Sequence, residues 1–169
     1  MLPEIKTILF ATNLGPEAKH VFNYALSQAF QYQAKIHVLH VVEPLSGFAR
    51  SLVEQNLTKE KTRELQEQSK AHLLEEFKSR LESFCQDGAC QLDQGWEMIA
   101  DVKILEGRPP EVIKKQAEAL GADLIVMGTH RRGLSSSGLI GSTARKVVNN
   151  ASVPVLTVFT PDDQLEDID

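Results

Sequence analysis

Two hydrophobic periods take turns along this chain, and that alternation constrains its fold more than any single motif. Apolar runs of strand length occur at 6–12 (KTILFAT), 35–42 (KIHVLHVV), 100–107 (ADVKILEG), 122–128 (ADLIVMG) and 153–159 (VPVLTVF). They are short, mostly continuous and rich in β-branched residues, as buried strands are. Stretches of helical period separate them. In 15–32, Val21, Ala25, Leu26, Ala29 and Phe30 share one face, and Pro16 suits a first turn. In 58–84, Leu65, Leu73, Leu74, Phe77, Leu81 and Phe84 form a stripe along a highly charged helix. Prolines open 108–121 and Gly121 closes it, the usual placing of both residues. A last helix is expected over 142–151, an irregular segment over 43–57 and a loop over 85–98. Strands alternating with helices predict an α/β fold: a five-stranded parallel sheet, helices on both faces, and right-handed crossovers. In such sheets a ligand binds beyond the carboxyl ends of the strands, where the strand order reverses.

The 169 residues suit one domain, expected over 1–160, followed by an acidic tail at 161–169 that is expected to be disordered. The chain has a net charge of -5, which argues against nucleic acid as the main partner. Its start, MLPEIKTILFAT, carries a lysine within the apolar run and does not read as a signal peptide. No apolar run approaches a bilayer-spanning length, so no membrane partner is expected and the cytoplasm is the expected compartment. Cys85 and Cys90 lack further ligands at metal-site spacing and are expected to be free thiols.

The residues with the most chemical content lie at 128–143, GTHRRGLSSSGLIGST, with four glycines and two adjacent arginines. Read as a P-loop, GTHRRGLS places Leu134 where the phosphate-binding lysine belongs, and serines follow where a helix should start. The dinucleotide fingerprint fails as well, because ATNLGPEA after the first strand has one glycine instead of three. A longer loop from Gly128 to Gly141 fits better. The helix opening at Gly141, Ser142 and Thr143 offers unpaired amides, two hydroxyls and the positive end of a dipole, which suit a phosphate. The alternative is a flexible Gly- and Ser-rich connection with no ligand.

Several passages resemble the universal stress protein family over residues 4 to 160: ILFATNLG, LHVVEP, EGRPPEVI, PVLTV and, most specifically, LIVMGTHRRG and IGSTARKVV. Nucleotide-binding members carry glycine, two residues, glycine, nine residues, then glycine with serine or threonine. Gly128 and Gly141-Ser142 stand at the outer spacing, Arg131 takes the middle glycine position, and Gly133 lies two residues on. The resemblance implies a Rossmann-like sheet of the adenine nucleotide alpha hydrolase kind, with ATP or AMP, possible Mg2+ included, across the first and fourth strand ends. Thr12 and Asn13 would lie near the ribose, and Val41 would meet the adenine through its backbone. Gly128, Gly141, Ser142 and Thr143 would cradle the phosphates, with Ala11 and Met127 at the same strand ends and His130, Arg131, Arg132 and Gly133 in the adjoining loop. It also implies a homodimer paired through 153–159. Asn13 stands where the family usually has aspartate and is a poorer metal partner. The Arg131 guanidinium can grip phosphate in place of the lost glycine.

Other tempting residues carry less. His37 and His40 should face opposite sides of their strand, so they cannot share a metal. His20 and His72 read as surface residues, Glu106 is a single carboxylate, and no Ser/His/Asp set has defensible spacing. No catalytic residue and no protein metal site is therefore expected. The expected function is nucleotide binding in a stress response, by signalling or protection. A nucleotide-free dimer acting through an unknown protein partner is the alternative. A slow ATPase is disfavoured by Asn13, since hydrolysis needs a held metal and a positioned water.

Overall fold

The computed structural model describes residues 1–86, 95–130 and 140–160. Five strands form one parallel sheet: β1 (Thr7–Ala11), β2 (Lys35–Val42), β3 (Ile99–Glu106), β4 (Leu124–His130) and β5 (Val155–Thr160). Their order across the sheet is β3-β2-β1-β4-β5. The chain builds outward from β1 in one direction and then resumes on its other side with β4. The order therefore reverses between β1 and β4, which is where such a sheet opens a crevice.

The residue pattern explains the layers. Successive strand residues point to opposite faces. On β1, Ile8 and Phe10 join one core while Leu9 and Ala11 join the other. On β4, Leu124 and Val126 divide from Ile125 and Met127 in the same way. Helices α1 (Ala18–Tyr32) and α3 (Lys59–Gln86) cover the first face with Val21, Phe22, Phe77 and Leu81. Helices α4 (Pro109–Leu120) and α5 (Ser142–Asn150) cover the second with Ile113, Ala117, Ala144 and Val147. The Asp123 carboxylate accepts the Lys6 and Thr7 amides, each at 2.9 Å, and so sets the register of β1 against β4 at the amino end. Gly121 ends α4 in the left-handed region, at φ 59°, as its position after the last helical turn predicted.

Three local expectations are corrected. Residues 43–57 are not wholly irregular, because α2 spans Gly47–Asn56. The Ser46 hydroxyl accepts the Ala49 amide at 3.3 Å, a side-chain cap that the short segment supplies for itself. None of its residues is buried, and its apolar pairs Phe48/Leu52 and Ala49/Val53, though at helical spacing, span too few turns to stand out beside Pro44 and Gly47. On α3, Leu65 is exposed, and only Phe77, Leu81 and Phe84 are buried. The apolar stripe therefore meets the sheet only in the helix's second half. Helix α1 starts at Ala18, later than Pro16 suggested, because Leu14 turns the chain through φ 55° first. The 161–169 tail lies outside the described residues.

Candidate functional site

A cleft of about 540 Å³ opens where β1 and β4 part, a size suited to a small-molecule ligand. Each wall comes from a different element. Ala11, Thr12 and Asn13 enter from the end of β1, and Leu39 and Val41 from β2. Met127, Gly128 and Thr129 enter from β4. The start of α5 closes the far side with Gly141, Ser142, Thr143 and Arg145. Among the predicted residues, then, Ala11, Thr12, Asn13, Val41, Met127, Gly128, Gly141, Ser142 and Thr143 all line one cleft, although they span 133 positions of sequence, 11 to 143. His130 ends β4, and Arg131, Arg132 and Gly133 lie outside the described residues.

The β1–α1 turn is built from its own side chains. Leu14 donates its amide to Thr12 Oγ1 at 3.0 Å, and Gly15 donates its amide to Asn13 Oδ1 at 2.9 Å. These two bonds hold Leu14 in a left-handed conformation that costs a non-glycine residue free energy. Asn13 Oδ1 accepts from Gly15 with one of its two lone pairs, and the Asn13 amide nitrogen adds a donor at the same place.

At the opposite wall, the N-cap residue of α5 is Gly141, which has no side chain to cap the helix. The Gly141 amide itself is taken by Thr129 Oγ1 at 2.8 Å, so it is not one of the amides open to an anion. That corrects the expectation that Gly141 offers its own N–H. The amides of the first helical turn, Ser142, Thr143 and Ala144, precede the helix's first internal bond, from Arg145 N–H to Gly141 O, and have no backbone acceptor among the described residues. The Thr129–Gly141 bond also ties the two ends of the glycine-rich segment together across 12 positions.

The outer glycines serve different ends. A Cβ on Gly128 would come within 2.9 Å of Val21 Cγ2, so glycine there lets α1 pack against β4. A Cβ on Gly141 would meet Thr129 Oγ1 at 3.5 Å, an ordinary contact, at an unstrained φ of -56°. Packing thus demands Gly128, while nothing in the fold demands Gly141.

Several lining residues were not singled out from the sequence. Thr129 is buried, and its hydroxyl role depends on Gly141 folding back to meet it. Glu17 is a carboxylate only 6% exposed that lines the cleft from the start of α1. Pro109 and Ile113 bring α4 to the rim, and the motif EGRPPEVI was the one available signal for them. Glu106 is exposed at the end of β3 and is not among the cleft residues. His40 packs its ring toward Phe77 on the α3 face, while His37 alternates to the other, so the pair is split as expected. Among the described residues no group of three or more His, Cys, Asp or Glu is placed to hold a metal ion, and no helix is long and apolar enough to cross a membrane.

Comparison with known proteins accounts for this arrangement. Residues 4–158 match the model of the universal stress protein family. A universal stress protein of Thermus aquaticus is 33% identical over 153 residues, covering 90% of this chain and 98% of that one. The Methanocaldococcus jannaschii universal stress protein MJ0577 is 26% identical over 157 residues, covering 90% and 94%. Among solved structures, that of MJ0577 superposes with a TM-score of 0.65 at 23% identity, covering 95% of this chain and 99% of that one. A universal stress protein described in complex with cAMP superposes with a TM-score of 0.57 at 19% identity, covering 94% and 100%. The family match covers nearly the whole chain, the same parallel sheet recurs in its structural neighbours, and the chain belongs to the universal stress protein family.

Proposed function

We propose that the cleft binds an adenine nucleotide, ATP or AMP, and that the chain serves a stress response by signalling or protection through that bound state. One observation carries this function: the amino end of α5, whose N-cap is a glycine, opens into a cleft at the point where strand order reverses. The residues present fit the ligand. The amides of Ser142, Thr143 and Ala144 and the hydroxyls of Ser142 and Thr143 face a phosphate with donors only, aided by the helix dipole. Arg131 and Arg132, outside the described residues, would add positive charge for the phosphate in this reading. Thr12 and Asn13 serve the ribose, and the Val41 backbone serves the adenine. Any Mg2+ enters as the nucleotide's own counter-ion. The cAMP complex of a structural neighbour supports a nucleotide class of ligand.

The protein is a binding protein and not an enzyme in this account. Asn13 is neutral, and a neutral amide is a poorer partner than a carboxylate for a metal that would position a nucleophilic water. The domain spans 1–160 and works in the cytoplasm without nucleic acid. Titration calorimetry with ATP on the native chain and on Ser142→Ala tests the site. One hydrogen bond to a charged phosphate is worth about 1.5–3 kcal/mol, so the variant binds about one to two decades more weakly. Equal affinities would place the phosphate elsewhere.

The chain pairs as a homodimer through β5. That strand lies at the edge of the sheet, and Phe159 is exposed on it, with Val148 exposed on the neighbouring α5. An open apolar edge invites aggregation unless a symmetry mate covers it. Light scattering should therefore report twice the chain's 18.8 kDa. A mass of one chain at all concentrations would contradict the dimer.

A further inference from the structure

His40 stands next to the cleft without lining it. It lies on β2 one residue before Val41, and its ring packs on Phe77 of α3 with centroids 5.5 Å apart. Its Nδ1 is 2.9 Å from the Thr12 carbonyl oxygen. A carbonyl oxygen can only accept, so the ring hydrogen sits on Nδ1 and His40 is the donor. The acceptor is significant. Thr12 is the first residue past the end of β1, and its own amide still donates to Leu39 O at 3.0 Å. Beyond it the chain turns sharply through Leu14. The Thr12 carbonyl is thus the last main-chain group before the turn that carries the cleft residues Thr12 and Asn13.

Three bonds then fix that turn. Thr12 Oγ1 and Asn13 Oδ1 hold it from within, and His40 holds it from the neighbouring strand. The first two are local and move with the turn. The Thr12 amide bond to Leu39 O and the His40 bond refer the turn's position to the sheet, and the His40 bond is the one that does so through a side chain and, by way of Phe77, to α3. A left-handed Leu14 persists only where its surroundings over-determine it.

We infer that His40 is a positioning residue of the cleft: by donating Nδ1–H to the Thr12 carbonyl it sets where Thr12 and Asn13 meet the ligand. The inference rests on the nucleotide function above for its effect on binding, though not for its effect on the turn. His40→Leu removes the donor and keeps an apolar contact with Phe77. His40→Asn places an amide N–H near the Nδ1 position but gives up ring contact. The amides of Leu14 and Gly15 are followed by hydrogen exchange in the ligand-free chain, and ATP affinity is measured on the same samples. His40→Leu should speed exchange at Leu14 and Gly15 while Phe10 and Ala11 stay protected, and should weaken ATP about fivefold, the value of one ordinary hydrogen bond. His40→Asn should restore both, even though its thermal midpoint falls at least as far. Unchanged exchange at Leu14 and Gly15 in His40→Leu overturns the inference. So does loss of affinity that follows the midpoint in both variants, since that pattern is a purely structural role. A native chain that binds no ATP while its turn amides still depend on His40 overturns the nucleotide function and leaves the positioning of the turn standing.

Discussion

Gly141→Val leaves the chain folded and weakens ATP by about two decades or more. The fold tolerates the change because Gly141 has φ -56° and ψ 153°, a conformation open to any L-residue, and because a Cβ there would touch Thr129 Oγ1 at an ordinary 3.5 Å. The ligand does not tolerate it. Gly141 lines the cleft and immediately precedes the first turn of α5, so a valine there adds bulk next to the Ser142 and Thr143 amides where the phosphate is proposed to bind. Losing two bonds to a charged phosphate costs at least about 3 kcal/mol, which is about two decades of affinity. Gly141→Ala adds only the Cβ and should retain most binding. Circular dichroism confirms folding, and calorimetry gives the affinity. Unchanged affinity in a folded Gly141→Val chain would remove the start of α5 from the site.

Phe22→Ala has the opposite signature. Phe22 is fully buried beneath the cleft, with its ring 5.5 Å from Phe10 and 6.1 Å from Phe84, centroid to centroid. It thereby joins α1 to the central strand and to α3. Truncating such a side chain loses its transfer free energy and leaves a cavity, together about 3–5 kcal/mol. Against a total stability of about 5–15 kcal/mol that is a severe loss. In a chain of this length the thermal midpoint should fall on the order of 10 °C. Phe22 is not among the cleft residues, so the folded fraction should bind ATP as the native chain does. Thermal melting and titration of the same variant separate the two effects. A midpoint within a degree or two of native would mean that this aromatic junction does not hold the first core together.

The contrast between these variants shows what the residue pattern could carry. The strands were legible because each is a short apolar run, and β4 differs mainly in continuing to His130, into the start of the glycine-rich segment. Helix α2 was not legible, since it is short, none of its residues is buried, and Pro44 and Gly47 at its entry read as a break. Strand order is a relation among distant segments, and the alternation of elements does not encode it. The cleft followed the same division. Asn13, Val41 and Ser142 were found because family resemblance marks them at strand and helix ends. Thr129 and Glu17 were not, because their roles arise only when Gly141 returns to β4 and when α1 folds over the cleft. Gly128 was correctly placed, but its demand for glycine comes from Val21, a residue 107 positions earlier, 21 against 128.

The central claim is that the cleft between β1 and β4 holds an adenine nucleotide. Thermal melting of the native chain with and without ATP and magnesium tests it most directly, because a ligand that binds only the folded state raises its midpoint. At a free ATP concentration of about one hundred times the dissociation constant, the gain is about 2.7 kcal/mol. For a chain of this size that corresponds to roughly 5–10 °C. The account predicts a rise of that order that grows with ATP concentration and is largely abolished in Gly141→Val. Identical midpoints for the native chain with and without millimolar ATP would contradict it.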